Sequence, residues 1–471
     1  MIPDKKALKK LKRKYSNLPD DRGVGLIKKL LLSYLPGWFV VWVLRKYFVK
    51  SDYKAARESI KFFQLSNRAY GVGKARNNQR LLMIALKLLG DRLPQSFVSL
   101  LSSATTRTLK DPTTRNSLAK SILQATKDLP VEIFDASSWY QLSRGLFSLG
   151  YFRAAWVARE NSLDLSISES LDPKASATVL QRGIEAHLER RNFPDAETAI
   201  RFSTSKISAG RISEFHEYFL MMQGKFHKEI NSKIAADDDG GTVLRQLLRD
   251  RTVALIGAGI ATENCDIEVD AFETVYRVRF FGFGKTPATG NHGSRCDISN
   301  FFSLEKWQDL EWNEELFFVD SLKLIIDRAM GITRMRNTPV AHIDFELPVY
   351  RSTAISGVFN LVVALRGTPR MLKLYGFDFY TKLGQYDSRI LDFYRRDGWI
   401  IGESFMVGEK GDVPIFEISG SFSAHDPVSN FCFAQNLYKA GLFEIEPYGK
   451  SILELTPFQY VERLEEMLGD W

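Results

Sequence analysis

The sequence predicts an α/β protein whose C-terminal part is a doubly wound, mostly parallel sheet preceded by an all-α domain. In the C-terminal part, short apolar runs typical of strands alternate with helical patterns, which favours a parallel sheet. In the middle of the chain, apolar residues recur at three- and four-residue spacing, as in WYQLSRGLFSLG, which predicts amphipathic helices. The 471 residues suit about two to four domains, and we expect boundaries at 1–54, 55–240 and 250–471.

Composition excludes several classes of protein. Hydrophobic residues make up 45% of the chain and charged residues 25%, values that argue against a disordered, collagen-like or polytopic membrane protein. The three cysteines, Cys265, Cys296 and Cys432, form no close-spaced pair, so a disulfide framework or a zinc knuckle is not expected. A reducing, cytoplasmic setting follows.

Basic charge is concentrated at the N-terminus. Residues 1–54 carry 14 Lys and Arg against 4 Asp and Glu, whereas the remainder has 50 against 52. The uncharged run at residues 30–44 contains Pro36 and Gly37 and is shorter than the roughly 20 residues that a spanning helix needs. We therefore expect residues 1–54 to attach to an anionic membrane surface, with no nucleic acid bound. The alternative is a buried helix with a solvated lysine tail.

Residues 55–240 contain a weak repeat. The segments GYFRAA, RNFPDAE and GKFHKE each lie between two helical patterns, and Phe152, Phe193 and Phe226 are 41 and 33 residues apart. Such spacing is typical of tetratricopeptide-like hairpins, which bind partners, although an irregular bundle with a structural role is the alternative. The acidic and glycine-rich residues 237–241 are expected to form a linker, with a metal site as the alternative.

Six runs in residues 250–471 have strand patterns: VALIGAG, TVYRVRFF, CDISNFF, ELFFVDS, AHIDFEL and MLKLYGFDFY. A Rossmann-like sheet of this kind has its crevice at the carboxyl ends of its strands. After the first run, Gly257-Ala258-Gly259 would let backbone N–H groups approach a phosphate. The NAD fingerprint requires a third glycine where this chain has Thr262, so a dinucleotide oxidoreductase is not favoured.

Five segments follow one another in a fixed order: VALIGAG, DAFETVYRVRF, GSRCDISNFF, SGVFNLVVALRGTPRMLKLYGFDFY, and then a lone His425 that opens a helix. Ser356-Gly357 stands at a helix start, residues 376–380 read Gly-Phe-Asp-Phe-Tyr, and Tyr386 follows six residues after Tyr380. This series resembles the bacterial sialyltransferases of glycosyltransferase family 42, over roughly residues 250–450.

The resemblance implies a metal-independent, inverting transfer of a sugar from CMP-sialic acid or a similar CMP-sugar to a hydroxyl of a surface glycan or glycolipid. His425 would be the general base, since an imidazole titrates near working pH. Tyr380 and Tyr386 would hydrogen-bond the departing phosphate. No cofactor is implied. The implied donor-binding positions are Gly257, Ala258, Gly259, Arg279, Asn300, Ser356, Gly357 and Asp378.

The chain departs from the family pattern at three positions. The family has asparagines where this chain has Ala258 and Arg279, and a tyrosine where it has Phe422. An arginine could bind the donor's phosphate or carboxylate as a fork, so the donor could be another nucleotide-activated sugar. Each candidate also has a structural alternative: a packing histidine, packed tyrosines, an N-cap at Ser356 and a turn residue at Asn300.

Two other classes of function remain open. A related α/β domain of flagellin-modifying proteins and of a pterin pyrophosphokinase shares the Gly-rich strand and the Gly-x-Asp segment. A non-catalytic helical-repeat adaptor with a degenerate α/β half is the second alternative. For the glycosyltransferase, we expect a peripheral location on the cytoplasmic, inner face of the cell membrane and a glycan or glycolipid acceptor. Homo-oligomerisation is left open.

Overall fold

The computed structural model describes residues 93–103, 112–148, 150–225, 239–257, 259, 265–278, 293–301, 322–327, 334–335, 338–343, 345–352, 354–381 and 426–467. All of them belong to one compact unit, Arg92–Trp471. The predicted membrane segment at residues 1–54 lies outside the described residues.

The N-terminal part of this unit is helical where it is described. Its helices are α1 Gln95–Ser103, α2 Pro112–Lys127, α3 Ala136–Ser148, α4 Phe152–Ser170, α5 Ala177–Glu189, α6 Phe193–Phe202 and α7 Ala209–Met222.

Local signals set several of these helix starts. The side chains of Ser176 and Ser208 cap α5 and α7 by accepting hydrogen bonds from the amides three residues further on. Two of the three repeated phenylalanines, Phe152 and Phe193, are the first residues of α4 and α6. The third, Phe226, lies outside the described residues, and the tetratricopeptide-like character of this part stays a prediction.

The C-terminal part contains an eight-stranded sheet in the order β5-β6-β4-β3-β2-β1-β7-β8. Every described strand pair is parallel except β5 with β6, so the predicted doubly wound, mostly parallel sheet is confirmed. The strands are β1 Thr252–Ile256, β2 Thr274–Val278, β3 Ile298–Phe301, β4 Leu324–Asp327, β5 Arg334–Met335, β6 Thr338–His342, β7 Met371–Tyr375 and β8 Glu444–Ile445.

Helices cover both faces of the central strands, which explains why β1 and β2 are buried almost throughout. On one face, Val269 and Phe272 pack against Ala254 of β1 and Val275 of β2. The next residue of β2, Tyr276, points to the opposite face, where its hydroxyl bonds Asn360 of a crossover helix. The remaining helices are α8 Asp239–Leu248, α9 Asp266–Asp270, α10 Ser356–Arg366, α11 Pro427–Lys439, α12 Pro447–Leu453 and α13 Pro457–Met467.

Two segments differ from their predicted form. Residues 239–241, expected in a linker, instead begin α8, and a Cβ added to Gly240 would lie 2.1 Å from the carbonyl oxygen of Val340 in β6. The predicted strand AHIDFEL forms sheet only as far as His342, because β6 pairs with β4 and that partner ends at Asp327. Both differences depend on contacts between distant parts of the chain.

Candidate functional site

The sheet order places a topological switch point between β1 and β7. From β1 the chain continues into β2 on one side, whereas β7 joins the other side after the crossover through α10. In open α/β sheets, ligands bind outside the carboxyl ends of the strands at such a point. We call this region the switch-point edge. It consists of the residues that directly follow β1 and β7 and of the starts of α10 and α11.

The glycines after β1 lie directly against the backbone that follows β7. The Gly257 amide donates to the Tyr375 carbonyl at 2.7 Å, and the Gly259 amide donates to the Gly376 carbonyl at 3.0 Å. A Cβ at Gly257 would lie 2.3 Å from the Gly376 oxygen, and one at Gly259 would lie 2.7 Å from it. Close backbone approach therefore explains both glycines.

This pairing corrects one expectation. The sequence suggested that the amides of the Gly257-Ala258-Gly259 segment would face a phosphate, but carbonyl groups of the β7 segment accept hydrogen bonds from the Gly257 and Gly259 amides. Those two N–H groups are consequently not free for an anion. Ala258 lies outside the described residues.

The start of α10 reaches the same edge. A Cβ on Gly357 would lie 2.8 Å from the ring of Phe377, and that ring also lies 3.0 Å from the Cβ position of Gly257. The N-cap of α10 is Ile355, whose side chain has no hydrogen-bonding group, and the first turn contains no acidic residue. The helix start therefore carries the positive end of the helix dipole with no carboxylate in its own first turn, which favours an anion.

A strained turn at residues 378–380 follows β7. Phe379 and Tyr380 have φ angles of 51° and 65°, in the left-handed region that non-glycine residues adopt at a cost of about 1–3 kcal/mol each. The Tyr380 amide donates to the Asp378 carboxylate at 3.0 Å, and the hydroxyl of Tyr460 in α13 donates to the Phe379 carbonyl at 2.8 Å. These contacts hold the turn and leave the side chains of Asp378 and Tyr380 half-buried.

The start of α11 is fixed beside the start of α10. The Asp426 carboxylate caps α11 by accepting from the amides of Val428 at 2.9 Å and Ser429 at 3.2 Å. Asn430 of α11 accepts a hydrogen bond from the Ile355 amide at 2.8 Å. The two helix starts are therefore joined directly.

The pKa shifts of Asp426 and Tyr460 reflect the charged and polar groups that lie near the start of α11. Burial would raise the pKa of the Asp426 carboxyl, but the guanidinium groups of Arg159 and Arg144 and the hydrogen bonds from Arg159 and Ser429 hold that pKa below its ordinary value. Burial raises the pKa of the Tyr460 hydroxyl, and nearby Tyr380, Asp378 and Asp426 raise it further. The capping carboxylate and the strained turn thus lie within electrostatic range of one hydroxyl.

The structure brings together six of the predicted site residues. Asn300 is not among them: it lies within β3, two strands from β1 and thus about 10 Å away across the sheet, and its side chain is buried. Ala258, Arg279, Tyr386 and His425 lie outside the described residues. The residues at the switch-point edge are Gly257, Gly259, Ser356, Gly357, Asp378 and Tyr380.

Sequence reasoning missed two residues at this edge. A carboxylate oxygen of Glu446 accepts a hydrogen bond from the Gly376 amide at 2.8 Å, and the hydroxyl of Tyr448 lies 3.0 Å from that of Thr381. Glu446 directly follows β8 and Tyr448 lies two residues further on, in α12. The strand β8 has only two residues and carries no recognisable pattern. The Glu446-Pro447 pair at a helix start was the available signal.

Within the described ranges, His, Cys, Asp and Glu form no group of three or more that could hold a metal ion. In that part of the chain, no helix combines the length and the apolar character needed to cross a bilayer. Comparison of the sequence with known protein families and with curated proteins finds no match.

Proposed function

We propose that this chain is a glycosyltransferase that takes a sugar from a nucleotide donor, with CMP-sialic acid or a similar CMP-sugar as the first choice. One observation supports the proposal most: the starts of α10 and α11 are hydrogen-bonded to each other beside the strained turn that carries Asp378 and Tyr380. This arrangement gathers an anion-favouring helix start, a phenol and a carboxylate at the edge where α/β sheets bind ligands.

In the proposed reaction, the first turn of α10 at Ser356 and Gly357 takes the donor phosphate. The acceptor oxygen forms a bond to the anomeric carbon while the bond from that carbon to the phosphate oxygen breaks. CMP leaves with the electron pair of that bond, and the hydroxyls of Tyr380 and Tyr386 donate hydrogen bonds to its phosphate. The acceptor proton passes to His425, the residue directly before Asp426 in the chain.

The corrected role of Gly257 and Gly259 limits which groups can donate hydrogen bonds to the phosphate of the leaving nucleotide. Because their amides are engaged with the β7 segment, negative charge on the leaving group would be met by the α10 start and the tyrosine hydroxyls instead. If hydroxyl and amide groups stabilise the negative charge of the leaving phosphate in this way, the displacement requires no metal.

The acceptor in this proposal is a hydroxyl of a surface glycan or glycolipid, met at the inner face of the cell membrane. The basic charge of residues 1–54, 14 Lys and Arg against 4 Asp and Glu, supports attachment to anionic lipid. The helical part, proposed to be tetratricopeptide-like, would present the acceptor.

The test is the replacement His425→Ala, measured as hydrolysis of CMP-N-acetylneuraminate and as CMP binding. We expect the rate to fall about 10²–10⁴-fold, the contribution of a general base, while the CMP dissociation constant stays within about threefold. The matched control is His216→Ala, since His216 is exposed on α7.

Equal loss of turnover and CMP binding would contradict the base role. Turnover of ATP with a pterin, without turnover of CMP-sugars, would favour the pyrophosphokinase-like alternative. A wild-type protein that binds no nucleotide at all would favour the non-catalytic adaptor.

A further inference from the structure

Arg159 of α4 is a fully buried cation that reaches the start of α11. Its Nε atom lies 3.0 Å from the Asp426 carboxylate, and both side chains are 0% exposed. Asp426 is the residue that caps α11, so the helical part of the unit holds the α/β part at that cap. This contact joins residues 267 positions apart in the chain.

The two Nη atoms of the Arg159 guanidinium bind further groups in a fork-like arrangement. One Nη atom lies 2.6 Å from Glu189, at the end of α5, and the other donates to Glu189 and to Ser429 of α11, at 2.6 Å each. Arginine has the planar set of donors needed to bind two carboxylates and a hydroxyl at once, whereas lysine has a single point charge. The group therefore fixes an orientation in addition to neutralising charge.

The same region of α4 also holds the chain that leads into α10. The Tyr350 hydroxyl lies 2.6 Å from the Ser162 hydroxyl and 2.8 Å from that of Ser166, both on α4. Ser429, bonded by Arg159, donates in turn to the Tyr350 carbonyl at 3.1 Å. One face of α4 thus touches the start of α11 and the segment that enters α10.

A second link closes this arrangement. The Asp426 amide donates to the Ser352 hydroxyl at 2.7 Å, four residues before α10 begins. Together with the bond between Ile355 and Asn430, it makes the two helix starts a single hydrogen-bonded block. The Arg159 guanidinium is the cationic centre of that block.

A purely stabilising role explains this less well. Burying two carboxylates and a guanidinium costs desolvation free energy that their attraction only roughly offsets, so apolar packing would stabilise the unit as well or better. What the fork supplies in addition is a fixed position for the groups that it contacts.

We propose that Arg159 is a positioning residue, which sets the start of α11 against the start of α10 at the switch-point edge. The inference rests on the proposed function, in which the residue before Asp426 is the general base and the start of α10 takes the donor phosphate. Because Arg159 lies on α4, this positioning role makes the helical part an obligatory component of the catalytic unit.

The test uses the full chain with Arg159→Lys, which keeps the charge and loses the fork. The matched control is Arg190→Lys. Arg190 also pairs with two carboxylates of α4, Glu160 and Asp164. Unlike Arg159, it is partly exposed, and among the described residues its ion pairs are with α4 and not with α11. Three quantities are measured: amide hydrogen exchange of residues 426–430, the CMP dissociation constant, and kcat for CMP-N-acetylneuraminate hydrolysis.

For Arg159→Lys we expect faster exchange in residues 426–430 and a kcat that is lower by up to about 10²-fold, the cost of misplacing a catalytic group by about 1 Å. The CMP dissociation constant should change by less than about threefold, and Arg190→Lys should resemble wild type in all three measurements. In a His425→Ala background, Arg159→Lys should cause no further loss of kcat, since it acts through that residue.

Unchanged exchange in residues 426–430 would overturn the positioning role whatever the activity. The same kcat loss with and without His425 would also overturn it, because the effect would then be general. If the wild-type chain neither binds CMP nor hydrolyses the donor, the proposed function fails. The exchange data still decide separately whether Arg159 holds the helix start.

Discussion

At the scale of single residues, Gly257 and Gly259 join the backbone that follows β1 to the backbone that follows β7. The sequence singled out Gly257 and Gly259, and both lie at the switch-point edge. Their amides, however, bond to the β7 segment and do not face the open edge. The pattern shows that the backbone is approached closely there, but only the strand order reveals that the approaching group is Gly376.

Substitution at Gly257 tests this explanation. In Gly257→Ala the new Cβ would lie 2.3 Å from the Gly376 carbonyl oxygen, so the turns after β1 and β7 must separate. We expect the free energy of unfolding to fall by about 1–3 kcal/mol, the usual cost of overpacking. Urea denaturation monitored by far-UV circular dichroism measures it.

Gly210 provides the control for that substitution. It lies in α7 with nothing within 4 Å of an added Cβ, so Gly210→Ala should leave stability unchanged or raise it by up to about 1 kcal/mol. Equal unfolding free energies for the two alanine variants would show that the close approach at Gly257 has no energetic consequence.

At the scale of elements, helix starts were easier to predict than strands. A helix was predicted to open at His425, and Asp426, the next residue, is the N-cap of α11. The helix expected to start at Ser356-Gly357 is α10, Ser356–Arg366. In each case a local feature, a capping side chain or an apolar period, determines the element.

Strands gave more errors because pairing determines them. The strand predicted at ELFFVDS lies outside the described residues and stays a prediction. The strand β4, with the sequence Leu-Ile-Ile-Asp, was not predicted, because three apolar residues are too short a run to indicate a strand. The two-residue strand β8 has no pattern of its own and exists because Glu444 and Ile445 lie beside β7. The structural alternative for Asn300, a turn residue, is wrong, because Asn300 pairs with Val278 and Ile326 inside the sheet.

The cap of α11 makes stability depend on pH. The pKa of the Asp426 carboxyl is lowered in the folded protein, so its contribution to stability is present above its unfolded pKa of about 3.9. That contribution is lost as the pH falls through the folded value. The free energy of unfolding should therefore decrease as the pH is lowered below about 4.

The comparison variant is Asp426→Asn, which keeps a capping oxygen but cannot titrate. We expect wild type to be more stable than this variant at pH 7, with the difference shrinking as the pH approaches 3, measured by urea denaturation across that range. A difference independent of pH would contradict the ionic role assigned to Asp426.

At the scale of the whole molecule, the helical and α/β parts share one compact unit. The change in sequence pattern near residue 250 marks where the architecture changes, but nothing in it indicates how the two parts meet. Besides Arg159, the meeting surface includes Arg366 of α10, whose guanidinium pairs with Glu217 of α7 at 2.7 and 2.9 Å. Such pairs join positions far apart in sequence, so composition and periodicity cannot reveal them.

The proposed function requires the switch-point edge to bind a CMP-linked donor. A thermal-shift measurement with CMP, cytidine, UDP and NAD tests it most directly, because a ligand that binds only the folded state stabilises it by about 2.7 kcal/mol at 100 times its dissociation constant. If the edge binds such a donor, CMP raises the melting temperature, cytidine, which lacks the phosphate, raises it less, and UDP and NAD leave it unchanged. A melting temperature unaffected by CMP, or raised equally by UDP or NAD, would contradict it.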